Sequence, residues 1–228
     1  MSAAPIRVGI IGLGAIGQMV LKDFLATPET SVRIVCDIDG DRAASTAAQV
    51  PGATWSTDFH TMLAGDHVDL VYVAVPPRDH HRIVLDVLQA GKHVLCEKPL
   101  ALTLDEAREM LARAQAAGVI HALHLPLVYF PGMQAFGAQV AAGFLGDLRR
   151  IEIALVFPHW PRAWQQNAWV GTREQGGPIR EVTPHDIGAI LRHFGAIARV
   201  WTRMEYLPTR WHVSRGPSAS TSYAVGSW

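Results

Sequence analysis

Cysteine is scarce in this chain: Cys36 and Cys96 are the only two in 228 residues. Two thiols cannot build the disulfide framework of a small secreted domain. Both fall at expected strand ends and read as buried thiols in a reducing cytosol, with a single disulfide as the alternative. Net charge is lacking too, since twenty basic residues balance twenty acidic ones. With no basic stripe and no recognition motif, nucleic acid is not an expected partner. No apolar run reaches membrane-spanning length, so no membrane partner is expected either. The start, Met-Ser-Ala-Ala-Pro, has no charged region leading into an apolar core; no secretory signal is expected, and the reading is cytoplasmic. The histidines, including His121-x-x-His124, lack metal-ligand spacing, and no metal is expected. What remains is a globular chain long enough for one large domain or two small ones.

The strongest positive signal lies near the start. Residues 6–11 form a short apolar run, as in a buried parallel strand. The run enters Gly12-x-Gly14-x-x-Gly17, and a helical face follows at Ile16, Val20 and Phe24. Strand, glycine turn and helix in that order give the motif its meaning. Gly12 permits the tight turn, Gly14 lets a pyrophosphate approach the backbone, and Gly17 lets helix pack on strand. The free N–H groups at the helix start, at Ala15 and Ile16, then face the phosphates. Residues 32–36 read as a second strand, ended by Asp37 twenty positions after Gly17. A carboxylate there accepts hydrogen bonds from ribose hydroxyls and repels a 2′-phosphate, so NAD is expected over NADP. Arg42, in an expected short helix over 41–49, could reach the adenine or ribose edge; a solvated surface arginine is the plainer alternative.

Strands and helices then alternate. Strands are expected over 68–75, 93–96 and 119–123, and a weak helical turn over 58–63. Pro76-Pro77 stops the strand before it, because neither proline can donate to a ladder. A helix over 79–90 buries Ile83, Val84, Val87 and Leu88 and ends at Gly91. Thr103 with Glu106 forms a capping box for the next helix, which Gly118 closes. Such alternation means α/β: a doubly wound parallel sheet of the Rossmann kind, with ligands outside the carboxyl ends of its strands. Lys98 falls at such an end beside Glu97. A partly desolvated lysine there could serve in proton transfer; a surface Glu–Lys pair of little consequence is the alternative.

The stretch Ala90-Gly-Lys-His-Val-Leu-Cys-Glu-Lys-Pro-Leu100, with the glycine motif, closely resembles the glucose–fructose oxidoreductase, inositol dehydrogenase and rhizopine-catabolism family (Gfo/Idh/MocA). The resemblance runs over about residues 5–205. It implies that Lys98 is the active-site lysine that hydrogen-bonds the reacting oxygen. It also implies that Ala74-Val-Pro76-Pro77, with His80, flanks the nicotinamide, and it allows a cis Lys98–Pro99 bond.

After Leu123 the pattern changes. A helix is expected over 134–142, and a strand over 148–157 with Ile151, Ile153 and Leu155 on one face. Such alternation suggests an antiparallel sheet with one exposed face, as in the beginning of the family's second domain. Residues 158–177 form a long loop carrying Trp160, Trp164 and Trp169, read either as a pocket wall or lid, or as cover for the sheet or an interface. In Gly176-Gly-Pro-Ile-Arg-Glu-Val-Thr-Pro-His185, Glu181 and His185 resemble the family's aspartate and histidine, with glutamate replacing aspartate. Thr183 should cap and Pro184 open a helix with His185 in its first turn. By the resemblance His185 is the candidate general base, with Glu181 orienting it or holding a substrate hydroxyl.

Residues 198–206 read as another strand, and 209–228 show no periodicity. Family members continue further and complete the sheet, so the chain reads as truncated or frameshifted near Pro208, or else as a real variation ordered by a partner. The expected organisation is a cofactor domain over 1–123, an incomplete, mostly antiparallel α+β domain over 124–207 and an irregular tail over 208–228. The resemblance implies an NAD-dependent oxidoreductase acting on a carbinol carbon of a sugar, cyclitol or related polyol, with an oligomer through the second sheet. The alternative is a nucleotide-binding sensor or remnant without turnover.

Overall fold

A computed structural model describes residues 4–165, 167–172, 174–203 and 219–223. The chain divides into two compact units, 1–124 and 125–228.

The first unit is a six-stranded parallel sheet in the order β3-β2-β1-β4-β5-β6. Its elements run β1 (Ile6–Ile11), α1 (Ala15–Ala26), β2 (Thr30–Cys36), α2 (Gly40–Ala47), β3 (Thr54–Ser56), α3 (His60–Leu63), β4 (Leu70–Val73), α4 (Pro77–Gln89), β5 (His93–Glu97), α5 (Leu104–Ala117) and β6 (His121–His124). The strand order reverses between β1 and β4, where such sheets open a crevice. Alternation along β1 builds two cores. Val8 and Ile10 pack with Val20, Leu21, Val35 and Tyr72 on one face. Ile11 packs with Met62, Val71, Val73, Val87 and Met110 on the other. Gly9 points at that second face, where an added Cβ would lie 2.4 Å from the Met62 sulfur.

Local signals set the helix ends. Pro77 opens α4 in its first turn, where no N–H is needed. Thr103 and Glu106 form the reciprocal capping box of α5. Gly118 ends α5 at φ +65°, a conformation that glycine adopts without strain. Short β3 had no counterpart in the sequence reading, because three residues carry no readable period.

The second unit contains a 3-10 turn at Pro126–Tyr129, α6 (Pro131–Ala141), β7 (Ile153–Phe157), a 3-10 turn at Ala168–Gly171, α7 (Gly177–Glu181), α8 (Thr183–Phe194) and β8 (Ala219–Tyr223). β7 and β8 pair antiparallel from Ile153↔Tyr223 to Phe157↔Ala219. Ile153, Leu155 and Phe157 are half-buried while Ala154 and Val156 are exposed, the expected alternation.

Several expectations need correction here. The strand expected over 148–157 is confined to Ile153–Phe157, since β8 supplies ladder partners only that far. Residues 198–203 are irregular, and 204–206 lie outside the described residues. Within the tail expected to be irregular, Ala219–Tyr223 is β8, and 208–218 and 224–228 lie outside the described residues. Thr183 does not cap α8 but is its first residue. α7 runs to Glu181 and Val182 is already helical (φ −114°, ψ −50°), so no extended cap position exists.

Candidate functional site

The carboxyl ends of β1, β2, β4, β5 and β6 lie along one edge of the parallel sheet, and the sequence-derived cofactor residues of the first unit gather there. Gly12 turns at φ +92°, and a Cβ on it would lie 2.5 Å from the Ala74 carbonyl oxygen. A Cβ on Gly17 would lie 2.0 Å from the Gly12 oxygen, so the helix is packed hard on the turn. Gly14 differs: a Cβ on it would meet nothing within 4 Å. That open space sits at the N-cap of α1, with no side-chain cap and no acidic residue in the first turn. The N–H groups beginning at Ala15 and Ile16 therefore remain available for an anion. A dinucleotide pyrophosphate fits this cradle.

Asp37 is buried at the end of β2. Its Oδ2 accepts the Leu13 N–H at 2.7 Å and its Oδ1 accepts the Asp39 N–H at 3.0 Å. Arg42 lies 3.3 Å from both oxygens and also reaches Asp39 at 3.0 Å. Arg42 is thus neither a simply solvated side chain nor separate from Asp37. Pro76 and Pro77 form the junction of β4 and α4. His80 is fully buried, with Nε2 2.9 Å from the Val75 oxygen and Nδ1 2.9 Å from the Pro99 oxygen. Burial pulls its pKa down, against the pull of those carbonyls. His80 thus joins the backbone after β4 to the backbone after β5.

Glu97 ends β5 and is buried. It accepts the Tyr72 O–H at 2.6 Å, the His124 Nδ1–H, and the Lys98 backbone N–H at 3.2 Å. Burial pushes this carboxyl up, but the hydrogen bonds from His124 and Tyr72, with the charges of His124 and Lys98, outweigh it and hold the group below its ordinary value. Burial and the Glu97 charge push the Tyr72 phenol far up, so it is a neutral donor. Lys98 is half-buried and joined to Pro99 by a cis bond. Tyr72 and His124 escaped the sequence reading as site residues. A lone tyrosine in a buried strand was the available sign, because its hydroxyl needs a partner.

In the second unit, Glu181 ends α7 and is buried. Its Oε2 accepts from Gln165 Nε2 at 2.6 Å, and the Arg162 guanidinium lies 3.8 Å away. Arg162 in turn donates to Gln165 at 2.7 Å and lies over the rings of Phe157, Trp160 and Trp164. The tryptophan loop therefore packs on the end of β7, closer to sheet cover than to a lid. His185 stands in the first turn of α8, its N–H donating to the Val182 oxygen at 3.0 Å. Thr183, Asp186, Ile187 and Ile190 of α8 line an apolar cavity with Ile151, Ile153 and Leu155. Burial pushes the Asp186 carboxyl up. Among the described residues no group of three or more His, Cys, Asp or Glu side chains could hold a metal. No helix among them is long and apolar enough to cross a membrane.

The sheet, its switch point and the glycine cradle define a Rossmann-type protein with a dinucleotide-binding edge. The chain belongs to the oxidoreductase family with an NAD-binding Rossmann fold, Gfo/Idh/MocA, whose pattern matches residues 6–124. It is 34% identical over 149 residues to the D-glucoside 3-dehydrogenase of Escherichia coli K12, covering 65% of this chain and 42% of that one. It is 30% identical over 182 residues to the 1,5-anhydro-D-fructose reductase of Ensifer adhaerens, covering 79% of this chain and 54% of that one. Among solved structures, GenD2 from gentamicin A biosynthesis, in complex with NAD, matches at 26% identity and a TM-score of 0.77, covering 85% of this chain and 54% of that one. KijD10, a 3-ketoreductase of Actinomadura kijaniata in complex with NADP and TDP-benzene, matches at 28% and 0.74, covering 85% and 58%. The chain spans about half the length of the curated relatives it matches.

Proposed function

We propose that the chain carries the cofactor half and part of the substrate half of an NAD-dependent oxidoreductase acting on a carbinol carbon of a sugar, cyclitol or related polyol. The observation that carries this reading is the shared sheet edge: the open cradle at Gly14, the carboxylate of Asp37 and Lys98 all stand at carboxyl ends of one parallel sheet. When bound, the nicotinamide supplies the acceptor or donor of hydride. Ala15 and Ile16 hold the pyrophosphate through their N–H groups. Asp37 holds the ribose hydroxyls and disfavours a 2′-phosphate, so NAD is preferred over NADP. Pro76, Pro77 and His80 shape the wall beside the nicotinamide. Lys98 hydrogen-bonds the reacting oxygen, His185 takes its proton, and Glu181 orients the substrate or the base. The sugar-directed names of the relatives above support the substrate class. Two free, buried cysteines fit a reducing, cytoplasmic setting. A homo-oligomer through the β7 sheet belongs to the same reading.

A second reading, nucleotide binding without turnover, is favoured by Glu181, whose carboxylate is engaged by Gln165 and Arg162. Fluorescence titration of the chain with NADH and NADPH, followed by turnover on a polyol panel, separates the two. Tight NADH binding with turnover supports the enzyme, and binding without turnover on any polyol supports the second reading. A folded chain that binds neither cofactor overturns both.

A further inference from the structure

The Tyr72–Glu97–His124 cluster touches the Lys98 backbone through Glu97, and the proposed reaction does not use it. Glu97 and His124 are register partners at the paired ends of β5 and β6. Oε1 of Glu97 takes both ring donors, Tyr72 O–H and His124 Nδ1–H, while Oε2 takes the backbone N–H of Lys98. The two rings meet edge to face at 5.8 Å, so neither can turn away independently. Three donors converge on one buried side chain, and an ionised carboxylate accepts all of them with no proton of its own to place. The carboxylate plane is therefore set from one side by the rings and read on the other by Lys98.

Resting on the role proposed above for Lys98, we infer that His124 is a positioning residue for Lys98, acting through Glu97. It keeps Glu97 anionic and fixed, and Glu97 in turn fixes the Lys98 backbone and places a negative charge beside its ammonium. Tyr72 alone cannot do this. Glu97 is buried, and burial by itself drives the carboxyl toward its neutral form. Once neutral, Glu97 would add a proton of its own to a carboxyl already met by three donors, and its hold on the Lys98 N–H would weaken. The groups facing Glu97 are Tyr72 from β4, His124 from β6, His80 from α4, and Cys96 and Lys98 from its own strand and the residue after it. Asp23 of α1 acts on Tyr72 from farther away.

The test uses the full chain and the fact that its lysines are Lys22, Lys92 and Lys98. Lysine isotope-labelled at Cε then gives one NMR signal for each, and Lys98→Arg assigns the third. Two variants are compared, His124→Phe and His124→Asn. Both lack an imidazole, so titration at position 124 drops out of the comparison. Asparagine keeps an N–H donor at the same remove from Cβ as Nδ1, and phenylalanine keeps only the ring. In His124→Phe the Lys98 signal should show a pH step at or above the ordinary carboxylate range of about 4, as Glu97 takes up a proton. In His124→Asn the step should stay below that range. Coincident curves for the two variants overturn the inference. Should His124→Phe fail to fold, the smaller His124→Leu is read in its place. With substrate, kcat should fall roughly tenfold or more in His124→Phe and recover in His124→Asn, with KM for NADH little changed. An inactive parent chain would count against the proposed reaction alone, because the NMR readout needs no substrate.

Discussion

The Leu13 N–H donates to Asp37 Oδ2 at 2.7 Å, so the glycine turn after β1 is tied to the end of β2 by the same carboxylate proposed to hold the ribose. One oxygen shapes the cradle, the other is held by the Asp39 N–H at 3.0 Å, and Arg42 stands 3.3 Å from both. Asp37→Ser removes the charge and leaves Arg42, a cation suited to a 2′-phosphate, paired with Asp39 alone. NADH affinity should fall roughly tenfold and NADPH affinity rise, about 1.4 kcal/mol each way. Tryptophan fluorescence titration of the parent and the variant with both cofactors measures this; an unchanged preference would remove Asp37 from the selectivity argument.

The glycine motif separates into positions that serve folding and one that serves the ligand. A Cβ at Gly17 meets the Gly12 oxygen at 2.0 Å, whereas one at Gly14 meets nothing within 4 Å. Gly17→Ala should therefore lower stability by about 1–3 kcal/mol through overpacking. Gly14→Val should leave the melting temperature nearly unchanged yet abolish most NADH binding, since its side chain occupies the space proposed for the pyrophosphate. Thermal unfolding and NADH titration of each variant check the pair. Loss of stability without loss of binding at Gly14 would contradict the cradle.

These two glycines also show what a sequence discloses and what it does not. The first unit was legible because its elements follow from local rules: buried apolar runs, the Pro76-Pro77 stop and the Thr103–Glu106 box each act within a few residues. The placement of Gly12, Asp37 and Lys98 after strand ends was legible for the same reason, since each follows a buried apolar run. The Tyr72–Glu97–His124 cluster was not, because it depends on the register of three strands set by long-range pairing. In the second unit the errors were about partners. Residues 148–152 carry strand-like alternation, but β8 pairs only as far as Ile153, and alternation alone does not make a ladder. Thr183 carried a capping side chain, but the short helix α7 before it had already turned the backbone.

Arg7 and Asp69 give a prediction about acid stability. The Arg7 guanidinium reaches Asp69 Oδ1 at 2.6 Å and Oδ2 at 3.0 Å, joining the start of β1 to the approach to β4. Its hydrogen bonds hold the Asp69 carboxyl down at about 2. The unfolded value is about 3.9, so the folded chain binds fewer protons between the two. The contribution is complete above about pH 4 and is lost as pH falls toward about 2. Both side chains are about a third exposed, at 36% and 35%, so the effect is small and weakens with salt. Asp69→Asn should flatten that part of the stability curve. Denaturant melts across the acid range at low and high salt test it, and an equal slope in the variant would assign the acid sensitivity elsewhere.

The last prediction addresses the proposed division of labour. Lys98 follows β5 in the first unit and His185 stands in the first turn of α8 in the second, whereas the cradle is built by Gly12, Gly14 and Gly17. If Lys98 polarises the reacting oxygen and His185 carries its proton, neither is needed to hold the adenosine half of the cofactor. Lys98→Met and His185→Ala should then each lower kcat about a hundredfold, within the range a positioned proton carrier contributes. Their NADH affinities should stay within about threefold of the parent, because the pyrophosphate and ribose contacts are untouched. Stopped-flow or steady-state turnover on the polyol that the parent accepts best, with parallel NADH titrations, gives both numbers. Unchanged turnover in both variants would sink the assignment, and a matching loss of NADH affinity would recast the two residues as binding groups.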